Sequence, residues 1–321
     1  MKLQRVVILG GSGFVGRSIA NRLSRAGIDL LVPTRRRARA AQVLLLPTVE
    51  AVEADIHDPA TLRGLLKGAD AVINLIGVLH SRSGAPYGPD FARAHVELPR
   101  QLVAACREAG VRRLIHVSAL GADANGPSEY QRSKAAGETE IRAAGEALDW
   151  TILRPSVVFG REDNFLNLFA GLTRLFPVLP LAGAGTRFQP VYVEDVAEVV
   201  WRSLNDTAAI GQTWELAGPQ VYTLRELVSY VSELTGKRRP ILPLSDGLAM
   251  LQARLMELAP KPLMSRDNVR SMQADNVASG TPLPFGLAPT PLEAVAPGYI
   301  GLSNCRGRYY PMRTRARRGQ P

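Results

Sequence analysis

Val6-Val7-Ile8-Leu9-Gly10-Gly11-Ser12-Gly13-Phe14-Val15-Gly16-Arg17 sets a short apolar run against spaced glycines, and Ile19, Ala20 and Leu23 follow at helical spacing. Four consecutive apolar residues, rich in β-branched side chains, read as a strand buried on both faces. A strand that passes through a glycine turn into a helix leaves the first helical N–H groups unpaired and facing outward. Together with the helix dipole they favour a diphosphate. Gly10 permits the tight turn, Gly13 lets backbone approach phosphate, and Gly16 lets the helix pack closely. Gly11, Ser12, Phe14 and Val15 complete the expected cradle. The stretch predicts a dinucleotide site.

The 321 residues, 46% of them apolar, hold enough material for one large domain or two lobes. No apolar run is long enough to predict a spanning helix, and a first strand so near the start predicts no cleaved leader. Cys106 and Cys305 give no disulfide framework, and no Cys/His cluster has metal-ligand spacing. A reducing, cytoplasmic setting is expected.

The net charge of +10 resides in two places. Arg35, Arg36, Arg37 and Arg39 form one acid-free cluster; Arg306, Arg308, Arg313, Arg315, Arg317 and Arg318 form the other. A nucleic-acid groove spreads its charge and interleaves aromatics, so no nucleic-acid partner is expected. Two local anion sites are, the second suited to peripheral contact with an anionic membrane surface, at its inner face.

Strands are predicted at Ile28–Val32, Val49–Ala54, Ala71–Ile76, Arg113–Val117 and Trp150–Leu153, alternating with helices. A spacing of roughly thirty residues is that of βαβ units and predicts an α/β, doubly wound parallel sheet of the Rossmann type. Arg35 and Arg36 stand at the end of the second strand, where the adenosine ribose lies in such folds. With no acid between 33 and 40, NADP(H) is preferred and NAD(H) is the alternative. Asp55 and Ile56 border the adenine pocket, and Ile76 and Gly77 line the cofactor after the fourth strand. The helical run expected over Phe91–Ala109 carries His95. Beyond 155 the rhythm loosens into a proline-marked connection, a strand near Gln189–Val193, a helix over Glu194–Leu204 anchored or capped by Asp195, a strand at Thr213–Ala217 and further helices, two of them short and amphipathic. The expected division is a nucleotide domain (1–155), a smaller C-terminal α/β lobe interleaved with the sheet (156–300), and a basic, disordered tail (301–321).

Tyr130 and Lys134 lie four apart, on one face of a predicted helix. A neighbouring ammonium and a cationic nicotinamide would favour the phenolate and fit Tyr130 for acid–base work, while Lys134 would hold the ribose. Arginine outnumbers lysine 34 to 5, so an ammonium here is not a drift of composition.

The glycine pattern, the Tyr130/Lys134 pair, Leu153-Arg154-Pro155 and Pro190-Val191-Tyr192-Val193-Glu194-Asp195-Val196-Ala197 resemble the extended short-chain dehydrogenase/reductase superfamily. His116-Val117-Ser118-Ala119-Leu120-Gly121-Ala122-Asp123, followed closely by Tyr130, resembles its atypical branch, which includes the alpha-subcomplex subunit nine family of respiratory complex I. The resemblance implies bound NADP(H), a cofactor contact at Pro155, and partners in a respiratory complex or in quinone biosynthesis. It also marks two departures. Leu120 stands where the family carries a hydroxyl, leaving Ser118 as the candidate third catalytic residue beside Tyr130 and Lys134; His95 stands where the family carries an asparagine. Three functions follow: an accessory or regulatory NADP(H)-binding protein linked to complex I or ubiquinone metabolism, an active NADP-dependent reductase or epimerase, or a redox-sensing regulator.

Overall fold

Seven strands build the central sheet: β1 (Arg5–Leu9), β2 (Asp29–Thr34), β3 (Val49–Glu53), β4 (Ala71–Asn74), β5 (Arg113–Val117), β6 (Asp149–Pro155) and β7 (Gln212–Leu216). All are parallel, in the order β7-β6-β5-β4-β1-β2-β3. The computed structural model describes residues 3–259 and 262–301. The chain winds from β1 out to β3, then returns to β4 and winds the other way. That reversal opens a crevice beyond the C-terminal ends of β1 and β4.

Alternate side chains of β1 supply the two cores, as the strand period requires. Val6 and Ile8 pack with Ile19 and Leu23 of the Phe14–Arg25 helix and with Val196, Val199 and Val200 of the Val193–Asn205 helix. Val7 and Leu9 face the other way, onto Leu62, Leu66, Leu98, Leu102 and Ile141. Helix starts follow local chemistry: Asp58 accepts from the Thr61 N–H at 2.9 Å with Pro59 next in line, and Ser128 and Gln131 form a reciprocal capping box.

Several details differ from expectation. The run over Phe91–Ala109 starts at Pro89, and Ala92–Glu97 winds as a π-type turn before the Leu98–Ala109 helix; one extra residue per turn leaves no mark on apolar spacing. A helix over Leu166–Leu175 interrupts the expected connection, burying Leu166, Ala170 and Thr173. The strand near 189–193 shrinks to Val191–Tyr192, which pairs with Val158–Phe159. The segment expected at Thr213–Ala217 becomes β7 and returns to the main sheet beside β6. Of the two roles expected for Asp195, the structure shows the anchor and not the cap: it accepts from the backbone N–H and hydroxyl of Thr290, at 2.7 and 2.8 Å.

Phe159, Leu181, Phe188, Leu227, Val231 and Ile300 form a separate core for the residues after 155. Among the described residues no helix is long and apolar enough to cross a membrane. The basic tail lies outside the described residues except for Gly301.

Candidate functional site

The glycine turn is shaped by backbone contacts that leave no room for side chains. Gly10 takes φ +85°, and a Cβ there would lie 3.2 Å from Leu75 Cβ. The Gly11 N–H donates to Ile8 O at 3.1 Å and the Gly13 N–H to Gly10 O at 3.0 Å, which closes the turn. A Cβ on Gly16 would stand 2.3 Å from Gly10 O and 2.6 Å from Gly11 Cα. The Phe14–Arg25 helix begins at Gly13 with no side-chain cap and no acid in its first turn. An uncapped N-terminus behind a glycine cradle fits a nucleotide diphosphate. Ser12 and Val15 flank it, and Phe14 packs beneath Gly160, where a Cβ would come 3.1 Å from the Phe14 ring. Arg17 donates to Ser12 O at 3.0 Å and pairs with Glu162, so the second lobe reaches over the loop.

At the ribose end, Arg35 and Arg36 are exposed directly after β2. An acid missed in sequence stands beside them. Glu53, opposite Thr34 in the β2–β3 register, accepts from the Arg37 N–H at 2.5 Å. Only the pairing of β2 with β3 brings it there. Asp55 is exposed in the turn after β3, where its carboxylate accepts from the His57 N–H at 3.0 Å; Ile56 is half-buried.

Beyond β4, Asn74 accepts from the Ile76 N–H at 3.1 Å and faces His116 Nδ1 at 3.1 Å. The Ile76 side chain borders Gly10, and Gly77 borders the Lys134 ammonium and the His95 ring, at 3.5 and 3.6 Å from an added Cβ. The cradle and the Tyr130/Lys134 helix thus meet at Ile76-Gly77.

His95 is locked in place. Its Nε2 accepts from the Val78 N–H at 3.0 Å, so its proton sits on Nδ1 and is donated to Ser133 Oγ at 2.8 Å; the Ser133 hydroxyl donates on to Tyr130 O. Burial, then the Lys134 charge and His116, push His95 down to about 2. Both ring nitrogens are occupied, so the imidazole joins the loop after β4 to the Glu129–Arg142 helix. Lys134 donates to Val117 O at 3.2 Å, and burial brings its ammonium down to about 8, against the pull of Glu138. Tyr130 lies edge-on to His95 and Phe91, and burial pushes its hydroxyl up to about 12.

Ser118 is buried, and its hydroxyl faces the Glu138 side without a well-formed hydrogen bond. Glu138 is fully buried and is held by Arg154 through two bonds of 2.8 and 2.7 Å and by Arg142 at 2.9 Å. Burial opposes its ionisation, but these partners outweigh burial and hold the carboxyl below its usual range. Leu120 is buried, and Pro155 at the end of β6 accepts from its N–H at 2.9 Å.

The chain roofs the Tyr130 side of the crevice with residues from 265 to 278. Asp267 accepts from the Glu129 and Tyr130 N–H groups at 2.7 and 3.0 Å, adding a second cap to their helix. Asn268 donates to Leu79 O at 3.4 Å. Asn276 donates to Leu120 O at 3.1 Å and accepts from Ser156 Oγ at 2.6 Å. One segment therefore touches the loops after β4, β5 and β6. Among the described residues no group of three His, Cys, Asp or Glu could hold a metal.

Residues 6–217 match the NAD dependent epimerase/dehydratase family. The chain is 37% identical over 298 residues to the mitochondrial NADH dehydrogenase (ubiquinone) 1 alpha subcomplex subunit 9 of Mus musculus, across 89% of this chain and 77% of that protein. It is 33% identical over 295 residues to the Arabidopsis thaliana protein of the same name, across 87% and 72%. In fold it is similar to the dTDP-glucose 4,6-dehydratase of Streptomyces venezuelae, solved with NAD and TYD bound, with a TM-score of 0.72 at 20% identity over 96% of this chain and 99% of that one. Sequence and fold agree that the chain belongs to the NAD dependent epimerase/dehydratase family, has the extended short-chain dehydrogenase/reductase fold, and is related to the complex I alpha-subcomplex subunit nine.

Proposed function

We propose that this protein keeps NADP(H) as a resident nucleotide and acts as an accessory or regulatory factor in a respiratory complex or in ubiquinone metabolism. The observation that carries this reading is the roof: Asp267 and Asn276 fix residues 265–278 to the start of the Tyr130 helix and to the loop after β5, beside the residues a reaction would use. Gly10 to Gly16 would hold the diphosphate, Ile76, Gly77 and Pro155 the nicotinamide end, Asp55 and Ile56 the adenine, and Lys134 a ribose hydroxyl. Arg35 and Arg36 would take a 2′-phosphate, which favours NADP(H) over NAD(H). A bound nicotinamide supplies two-electron transfer, so turnover would still need a proton donor at the substrate. Burial holds the Tyr130 hydroxyl above its ordinary value, so at neutral pH it keeps its proton and is a weak acid. Similarity to the mitochondrial subunit supports partners in a respiratory complex.

A second reading, an active reductase or epimerase, has the Tyr130/Lys134 pair in its favour. Tyr130 would move the proton, Lys134 would orient the ribose and Ser118 would polarise a carbonyl.

Mass spectrometry of nucleotide released from the purified protein tests the first reading. NADP(H) near one per chain is expected, and it stays bound in Tyr130→Phe. NAD in its place overturns the role given to Arg35 and Arg36. NADPH oxidation that requires an added quinone or carbonyl compound and disappears in Tyr130→Phe overturns the accessory role in favour of the enzyme.

A further inference from the structure

The Asp246–Met256 helix carries its leucines on the outside and packs Met250 inward. Ala249 and Ala253 face the protein, packed with Ala182 and Val269. Leu248, Leu251 and Leu255 are 54%, 53% and 61% exposed, and Leu258, just past the helix end, is 82% exposed. Steps of three, four and three put these leucines along one face. A helix whose only task was to cover the lobe would point its leucines inward and its small residues out.

The apolar surface continues beyond the helix. The ribbon leading into it pairs Ile241–Pro243 with Leu179–Leu181, and Leu242 and Val178 on that ribbon are exposed. Leu175 and Phe176, at the end of the preceding helix, are exposed as well. Exposed large apolar side chains gathered on neighbouring elements in this way mark an interaction site.

Cations flank the patch and are fixed to its backbone. Arg225 donates to Ile241 O, beside Leu242. Arg239 donates to Thr173 O and Lys237 to Arg174 O, beside Leu175. Arg254 stands exposed on the helix itself. Acids are fewer there: Asp246 opens the helix, and Glu257 and Glu233 are paired with Arg266 and Arg238, so the leucine face keeps an excess of arginine and lysine that suits the boundary between headgroups and acyl chains of an anionic bilayer. A second copy fits less well, because a two-fold pairing of this face would bring its cations together.

We propose that the leucine face of the Asp246–Met256 helix, with Leu258 and the adjoining ribbon, docks in the plane of an anionic lipid bilayer. The face uses none of the residues assigned to the nucleotide crevice, and the inference stands whether or not the nucleotide reading does.

Co-sedimentation of the full chain with vesicles of phosphatidylcholine and phosphatidylglycerol in equal parts tests it, with phosphatidylcholine vesicles as control. Binding to the mixed vesicles is expected, weak on the control, and roughly tenfold weaker or more in Leu251→Ser/Leu255→Ser. In a second variant, Leu255→Trp, the new fluorescence shifts to the blue on vesicle binding and is quenched by lipids brominated on their tails. Native binding that the serine variant retains in full overturns the proposal, since the arginine tail would then carry it. No native binding, no quenching of the new tryptophan, or a dimer in vesicle-free buffer that the serine variant abolishes also overturns it.

Discussion

The two halves of the crevice are built by different means. The nucleotide half is close-packed backbone: an added Cβ on Gly13 or Gly16 would meet the Gly10 carbonyl, at 3.2 and 2.3 Å, and one on Gly10 would meet Leu75. The Tyr130 half is held by side chains from distant parts of the chain, with Asp267 bonding across 137 residues to Tyr130 and Asn276 across 156 to Leu120. The first half has one arrangement, enforced by sterics. The second rests on separate hydrogen bonds, each worth about 1 kcal/mol, and can be altered one contact at a time. Changes in the first half should therefore cost the fold and the nucleotide together, whereas changes in the second should leave the nucleotide in place.

Gly16→Ala should have the largest effect. Its methyl would fall 2.3 Å from Gly10 O, against backbone that cannot turn aside. A loss of about 3 kcal/mol is expected in denaturant unfolding, with no nucleotide recovered from the purified variant. A variant of native stability that still holds nucleotide would break the distinction between the halves.

Glu138→Gln should come next. It leaves Arg154 and Arg142 facing a neutral amide in a fully buried position. Breaking a buried pair costs about 3–5 kcal/mol; with both guanidinium groups partly in water, about 2 kcal/mol is expected. The folded carboxyl lies below its unfolded value, so its contribution is complete above the unfolded pKa and is lost as pH falls through the folded one. The stability difference between native and variant should hold at neutral pH and close on acidification. A gap that widens in acid would contradict the ionised triad.

These two residues also show how far the sequence could be read. Gly16 was legible because its requirement is local: strand, turn and helix lie within twelve residues, and the spacing of glycines is the geometry itself. The caps at Asp58 and Ser128 are equally local, each acting three residues ahead. Glu138 was illegible. Its partner Arg154 is on β6, sixteen residues on, and an acid amid a helix reads as a solvated face until that strand is laid beside it. The π-type turn escaped too, and with it the locked state of His95. The roof was legible only as one of two short amphipathic helices after β7, because nothing in its sequence says that Asp267 caps another element.

Asp267→Ala removes the acceptor shared by the Glu129 and Tyr130 N–H groups while Ser128 still caps that helix. The expected loss is about 1 kcal/mol, with faster amide exchange at 129 and 130 and through residues 265–278. Nucleotide content should be unchanged. If the variant instead gains NADPH oxidation toward a quinone, the roof is what restrains the Tyr130/Lys134 pair, and the second half is a closed enzyme rather than a scaffold.

Glu53→Gln should have the smallest effect and bears on the nucleotide itself. The exposed carboxylate accepts one backbone N–H, from Arg37, so its loss should cost under about 1 kcal/mol in stability. Its charge matters more than its bond. Standing where β3 lies beside Arg35 and Arg36, it repels a 2′-phosphate that the arginines attract. Removing it should tighten NADP(H) several-fold and leave NAD(H) nearly unchanged, as measured by titration calorimetry. If Glu53 instead accepts a ribose hydroxyl, Glu53→Gln would weaken NAD(H) and leave NADP(H) alone, and the arginines would be serving another anion.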